Sequence, residues 1–360
     1  MSTIYDVARE SGYSLATISN VVNNGTRPVK PETRDKILAT IQKLNYYPNA
    51  IARGLARQRT HTIGILFGVV ETAEIVLNDY SLAILQAVLS VSAERGYNLT
   101  HMTQRWQSPE ESLMSFRDGR TDGFLVVAPP TDTGMMHALA TLEIPLVAVS
   151  WTDKECHIPS ADIDDEFGAR LLMDHLVELG HTQIAHITGH RNLISGQIRE
   201  RVYLESLSNA GIPADPEYLR SGRYSPKEGY EQTRRLLQLA NPPTAIFAAN
   251  DEIAFGVIDA ASEMGVEIPR QLSVVGIDDR PMAAMTRPSL TTLRQPFNEV
   301  GKAATDMLIQ RIEGEEVAQE TLLFRPSLIE RSSTAPPLLE APDSVTTTKG
   351  SNGGNHHAIQ

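Results

Sequence analysis

The chain has 360 residues, 41% hydrophobic and 21% charged, with a net charge of −12 and one cysteine. That length holds two or three domains with real cores, and the lone Cys156 excludes a disulfide framework and a Cys-based zinc or iron–sulfur centre. The opening MSTIYDVARE lacks an apolar run and no stretch approaches about 18 apolar residues, so a soluble, cytoplasmic protein without secretory signal or membrane span is expected.

The charge is uneven. Residues 1–60 carry nine Lys/Arg against four acids, a balance of +5, which leaves −17 on residues 61–360. A basic module on an acidic body points to a polyanion partner for the module; chance clustering on a solvated face is the alternative. Thr3-Ile4-Tyr5-Asp6 reads as a capping box opening a first helix, and Gly12 as its left-handed end. Ser14 caps a second helix whose buried stripe is Ile18, Val21 and Val22. Ala16 and Asn20 lie on its opposite face, flanked by Leu15 and Thr17. Asn23–Pro28 is a turn. Pro31 suits the first turn of a third helix, with Ile37, Leu38, Ile41 and Leu44 as its apolar face. Short helices around a tight Gly turn are the parts of a helix-turn-helix, whose second helix enters the major groove. Any small three-helix domain shares that periodicity. Tyr47–Arg57 then offers a cap, Asn49, and two helical turns weakened by Gly54, too short to be stable alone in water.

From Thr62 onward, apolar runs of strand length alternate with helical patterns. The runs are Ile63–Val70, Tyr97–Met102, Gly123–Ala128, Pro145–Val149, Gln183–Thr188, Thr244–Ala249 and Leu272–Ile277. This predicts an α/β class with parallel doubly wound sheets in two lobes, with Pro159–Asp164 and Leu290–Pro296 as candidate crossovers. Ligands of such sheets bind beyond the carboxyl ends of the strands. Tyr80, Trp151, Arg199, Asn250 and Asp278 fall there. A carboxylate, an amide, a guanidinium and aromatic walls fit a small polyol such as a sugar. In Asn250-Asp251 we read Asn250 as facing the ligand and Asp251 as the helix cap. His181, His186 and His190 lack metal-ligand spacing and read as structural. Asp162–Glu166 reads as a helix start rather than a cation site. No nucleophile elbow, P-loop or GxGxxG appears, so no catalytic residue, metal or cofactor is expected. The Pro-, Thr-, Ser- and Gly-rich residues 332–360 read as a disordered tail.

The segment TIYDVARESGYSLATISNVVNNGTRPVKPETRDKILATIQKLNYYPNAIARGLARQRTHTIGILF resembles the N-terminus of the lactose/galactose repressor (LacI-type) family of bacterial transcriptional regulators. Helix-turn-helix, YxPNAxARxL hinge and strand come in the family's order, and the remainder resembles its periplasmic-binding-protein-like core to about Arg331. The resemblance implies a helix-turn-helix domain at 1–47, a hinge helix and linker at 48–60 and an effector-binding core at 61–331. It pairs 61–159 with 292–320 as one lobe and 160–290 with 321–331 as the other. It implies a homodimer reading a near-palindromic double-stranded DNA operator, because the leucine heptad of tetrameric members is missing. Leu15, Ala16 and Asn20 match base-reading positions; Tyr5, Ser14 and Thr17 match phosphate-holding or supporting ones; Leu55 matches a minor-groove wedge. Arg27, Asn49 and Arg53 complete the DNA-facing set, whereas Ala56 stands where the family often has a basic residue. In the core, Arg199, Asn250 and Asp278 match effector-binding positions, Tyr224 an aromatic beside the ligand, and Tyr80 and Trp151 cleft-facing positions. The implied function is a repressor controlled by a small molecule, a carbohydrate by this chemistry, bound between the lobes. A purine- or protein-corepressor-responsive regulator and a transport-type solute-binding protein are the alternatives. Leu193, where purine-responsive members often carry a basic residue, disfavours a purine.

Overall fold

The computed structural model describes residues 2–23, 25–47, 59–68, 79–103, 106–131, 133–152, 156–317 and 321–338. The N-terminal helices are α1 (Ile4–Ser11), α2 (Leu15–Val22) and α3 (Pro31–Lys43). The capping box forms as read, with Thr3 accepting from the Asp6 N–H and Asp6 reaching back to the Thr3 N–H. Gly12 ends α1 at φ 76°, a conformation that costs glycine little. Ser14 caps α2 by accepting from the Thr17 N–H. Val7, Ile18, Val21 and Ile37 form the buried centre, with Ile4, Val22, Ile41 and Leu44 packed around it. Leu38 is exposed, unlike its predicted role; Thr40 is buried instead, its hydroxyl donating to the Lys36 carbonyl.

The body contains β1 (Thr62–Phe67), α4 (Asp79–Glu94), β2 (Asn98–His101), α5 (Pro109–Phe116), β3 (Gly123–Val127), α6 (Met135–Ala140), β4 (Leu146–Val149) and β5 (Ser160–Ile163). It continues with α7 (Asp165–Glu178), β6 (Ile184–Thr188), α8 (Ile194–Asn209), β7 (Leu219–Ser221), α9 (Pro226–Leu236), β8 (Ala245–Ala248), α10 (Asp251–Glu263) and β9 (Ser273–Asp278). The last elements are β10 (Thr291–Arg294), α11 (Phe297–Glu313), β11 (Thr321–Phe324) and β12 (Ser327–Ile329). Among the described residues two sheets form. One has the order β11-β5-β4-β3-β1-β2 and is parallel throughout. The other has the order β12-β10-β9-β8-β6-β7 and is parallel except for the edge strand β12. Fully buried parallel strands need apolar side chains on both faces, which explains runs such as Ile246-Phe247-Ala248, all without exposure.

The chain divides into two compact units. One comprises Met1–Ile163, Asn192–Ile194 and Pro296–Phe324; the other comprises Asp164–Arg191, Ser195–Gln295 and Arg325–Gln360. The lobe boundaries expected from the sequence need correction. Residues 160–163 and 321–324 pair with each other in the first sheet, not the second, and residues 292–294 pair with β9 in the second. These strands lack a long apolar run because they are short, and β5 and β10 carry buried polar residues. Ser160 shares a 2.7 Å hydroxyl hydrogen bond with Thr321, and the buried Thr292 donates to Asp251 at 2.6 Å. The buried hydroxyls are satisfied rather than replaced by methyl groups.

The expected tail also begins later. Ser333 is wholly buried, its hydroxyl donating to the Val274 carbonyl and accepting from the Thr291 N–H. The Ala335 carbonyl meets His181 Nε2 at 2.9 Å. Residues 332–338 are thus bound into the second unit, and 339–360 lie outside the described residues. Two of the three histidines read as structural, His181 and His186, are packed and hydrogen-bonded inside the second unit. His181 bonds Thr244 and Ser273, and His186 stacks on Phe247 with centroids 4.4 Å apart, burial lowering its pKa to about 4. Among the described residues no His/Cys/Asp/Glu cluster could hold a metal, and no helix is long and apolar enough to cross a membrane.

Candidate nucleic-acid and ligand sites

On the N-terminal module the described residues of the DNA-facing set share one property, access to solvent. Tyr5 is 66% exposed and Leu15 37% exposed, and Ala16 and Arg27 are exposed. The Ser14 and Thr17 hydroxyls lie 2.9 Å apart, so this pair braces the start of α2. Asn20 donates Nδ2–H to the Arg27 carbonyl at 2.7 Å, tying α2 to the following turn. Among the described residues its Oδ1 accepts no hydrogen bond, and an Asn with a free amide edge can pair with adenine. Asn49, Arg53 and Leu55 lie outside the described residues.

In the second unit, four of the expected ligand residues lie at the carboxyl ends of strands or on the helices that follow. Arg199, on α8, is buried. Its Nε and Nη2 donate to Asp165 Oδ1 at 2.8 and 2.6 Å, and its Nη1 donates to the Ala249 carbonyl at 2.7 Å. Burial works against its charge; Asp165 and, less strongly, Tyr224 and Asp278 outweigh that and raise its pKa. Tyr224 sits at φ 56°, its ring 6.0 Å from the Arg199 guanidinium and its hydroxyl 2.9 Å from Ser195. A Cβ at position 189 would stand 2.1 Å from that ring, so Gly189 makes the approach possible. Asp278 ends β9 at φ 131°, a strained value of the kind that concentrates at functional sites. Its Oδ1 accepts from Gln295 Nε2 at 2.8 Å. Burial, then the charge of Asp251, pushes its carboxyl well above the usual carboxylate range.

The cap is Asn250 rather than Asp251, which corrects that half of the sequence reading. Asn250 is the N-cap of α10, its Oδ1 accepting from the Ile253 N–H at 3.0 Å. Asp251 is fully buried and accepts from the Thr292 hydroxyl and the Arg280 N–H. Burial pushes its pKa up to about 6.

In the first unit, the Tyr80 hydroxyl lies 2.7 Å from that of Ser150, and its ring packs edge-on against Phe297. Trp151 departs from expectation. It is only 5% exposed and packs in the hydrophobic cluster with Met135, Met136 and Leu146, where a free aromatic wall was expected. The sequence reading overlooked Asp165, Ser195 and Gln295. Nothing in local spacing marks Asp165 as the partner of a residue 34 positions away.

Residues 3–49 match the model for bacterial regulatory proteins of the lacI family, and residues 173–334 match that for the periplasmic binding protein-like domain. The HTH-type transcriptional repressor PurR of Erwinia tasmaniensis is 35% identical over 341 residues, covering 93% of this chain and 97% of the relative. The chain belongs to the LacI family. Among solved structures, the lac repressor dimer bound to operator and the anti-inducer ONPF superposes with TM-score 0.82 at 30% identity, covering 93% of this chain and 99% of that one. The CelR–cellobiose complex of a transcriptional regulator superposes with TM-score 0.71 at 27% identity, covering 92% and 100%. The chain is thus a DNA-binding transcriptional regulator with a helix-turn-helix head and an effector-binding core. Its relatives are regulators, not enzymes.

Proposed function

We propose that this regulator is a cytoplasmic homodimeric repressor whose effector is a small neutral polyol, a sugar, bound without turnover. The observation that carries the effector class is the convergence of Asp278, the Arg199 tip and the Tyr224 ring on one end of the second sheet. A carboxyl accepts hydroxyl protons, a guanidinium donates to hydroxyl oxygens, and an aromatic face covers the apolar side of a sugar ring. The cellobiose complex of CelR is consistent with that chemistry. On the DNA side, Leu15, Ala16 and Asn20 read base edges, Tyr5, Ser14, Thr17 and Arg27 hold the backbone, and Asn49, Arg53 and Leu55 act at the operator centre. Leu15 and Ala16 offer only apolar contact, which suits thymine methyls.

A purine is the second reading, favoured by the 35% identity to PurR and disfavoured by Leu193. Thermal-shift titration of the full chain against sugars and purine bases separates them. A stabilisation by at least one sugar, and none by hypoxanthine or guanine, is expected. Stabilisation by a purine base alone overturns the sugar reading.

A further inference from the structure

The ligand residues of the second unit carry a charge arrangement that the family resemblance does not supply. The Arg199 cation is already matched: Asp165 lies 2.6 Å from its Nη2, with both side chains almost wholly buried. Arg280, the next cation here, is matched by Glu252 at 3.0 Å. Two more acids, Asp251 and Asp278, stand beside this pair. Among the described residues, Asp251 accepts from a hydroxyl and a backbone N–H, and Asp278 from a carboxamide N–H. Counted together, the groups around the Arg199 tip hold no surplus of positive charge, although an arginine sits at their centre. Of the five N–H donors on Arg199, three are engaged among the described residues, and two remain on the tip.

We infer that Asp165 is a specificity-determining residue that neutralises Arg199, so that the site accepts neutral or cationic polyols, including amino sugars, and rejects uronates and phosphorylated sugars. Without Asp165, a buried guanidinium in a cavity is a carboxylate or phosphate receptor, because its fork matches two anionic oxygens. With Asp165 in place, an anionic ligand finds the charge of Arg199 already matched, and that of Arg280 matched by Glu252. A hydroxyl, which needs donors and acceptors but no charge, is served by the two remaining N–H groups and by Asp278. Asp165 acts through Arg199 and touches no ligand itself. The inference rests on the sugar reading above for the ligand class, but not for the sign of the charge selection.

Calorimetric titration of the full chain and of Asp165→Asn with matched trios tests it: glucose, glucosamine and glucuronate, then galactose, galactosamine and galacturonate. Inorganic phosphate serves as a probe that is independent of sugar chemistry. The asparagine keeps an oxygen for the Arg199 donors and removes the charge. Within any trio that binds, the unsubstituted chain should bind the neutral or amino member at least tenfold more tightly than the uronate. In Asp165→Asn that ratio should fall at least tenfold. The variant should also bind phosphate, and Asp165→Asn/Arg199→Gln should lose it. Should Asp165→Asn not fold, Asp165→Ser and the unsubstituted trios decide. Tight uronate or phosphate binding by the unsubstituted chain, or a ratio unchanged in the variant, overturns the inference. If no sugar binds while phosphate is gained by the variant and lost with Arg199, the sugar reading fails and the charge selection stands.

Discussion

Operator affinity should fall about 10³–10⁵-fold when salt rises from about 50 to 200 mM, the loss expected when about 6–10 phosphates are neutralised and their counterions released. The whole chain, at −12, gives no hint of this, but the head carries +5 and the remainder −17. The head's apolar contacts, Leu15 and Ala16 on α2, contribute little salt dependence of their own, so the slope reports its Lys and Arg residues. A gel-shift titration at several salt concentrations measures it. A flat response would show that the charge segregation does not serve nucleic-acid binding. The acidic body should also discourage contact of the sensor with DNA, confining the interaction to the head.

The second large effect concerns Arg199. Arg199→Ala should abolish the response to effector and leave the head's operator contacts in place. It should also destabilise the second unit by about 3–5 kcal/mol, because Asp165 would remain buried without its partner. Burial of both side chains, with hydrogen bonds of 2.6 and 2.8 Å, is the basis for that magnitude. Loss of response through simple unfolding is distinguished by Arg199→Met combined with Asp165→Leu. Replacing a whole buried pair by apolar groups is often neutral or stabilising. The double variant should therefore regain stability, read by urea denaturation, without regaining the response. An effector response retained in either variant would remove Arg199 from the site.

How much could be read from the residues follows from how local each signal is. The capping box at Thr3, the caps at Gly12 and Ser14, and the apolar runs that became β1, β3, β6 and β8 are encoded within a few residues of one another. They were legible without any knowledge of tertiary contacts. Strands β5 and β10 were not, since their buried Ser160, Thr291 and Thr292 are polar residues satisfied by distant partners. Asn250 and Asp251 show the same limit at the site. Either can cap a helix, and the choice falls to Asn250 because Asp251 is claimed by Thr292, 41 residues away, and by Arg280. Trp151 was placed by its position after a strand, but its packing into the Met135–Met136 cluster is a property of the folded unit alone. The Arg199–Asp165 pair, which governs the charge of the site, is equally invisible in one dimension.

The central claim is that a sensor and a reading head on one chain are energetically coupled. It is tested most directly by operator affinity measured in the full chain with and without the stabilising ligand, beside a chain lacking residues 1–60. The account predicts that saturating ligand changes the full chain's operator affinity by about 5–150-fold, the usual range for such coupling. It also predicts that the shortened chain keeps its ligand-induced thermal shift and loses operator binding. Operator affinity that does not change under saturating ligand, or operator binding that survives removal of residues 1–60, would contradict it.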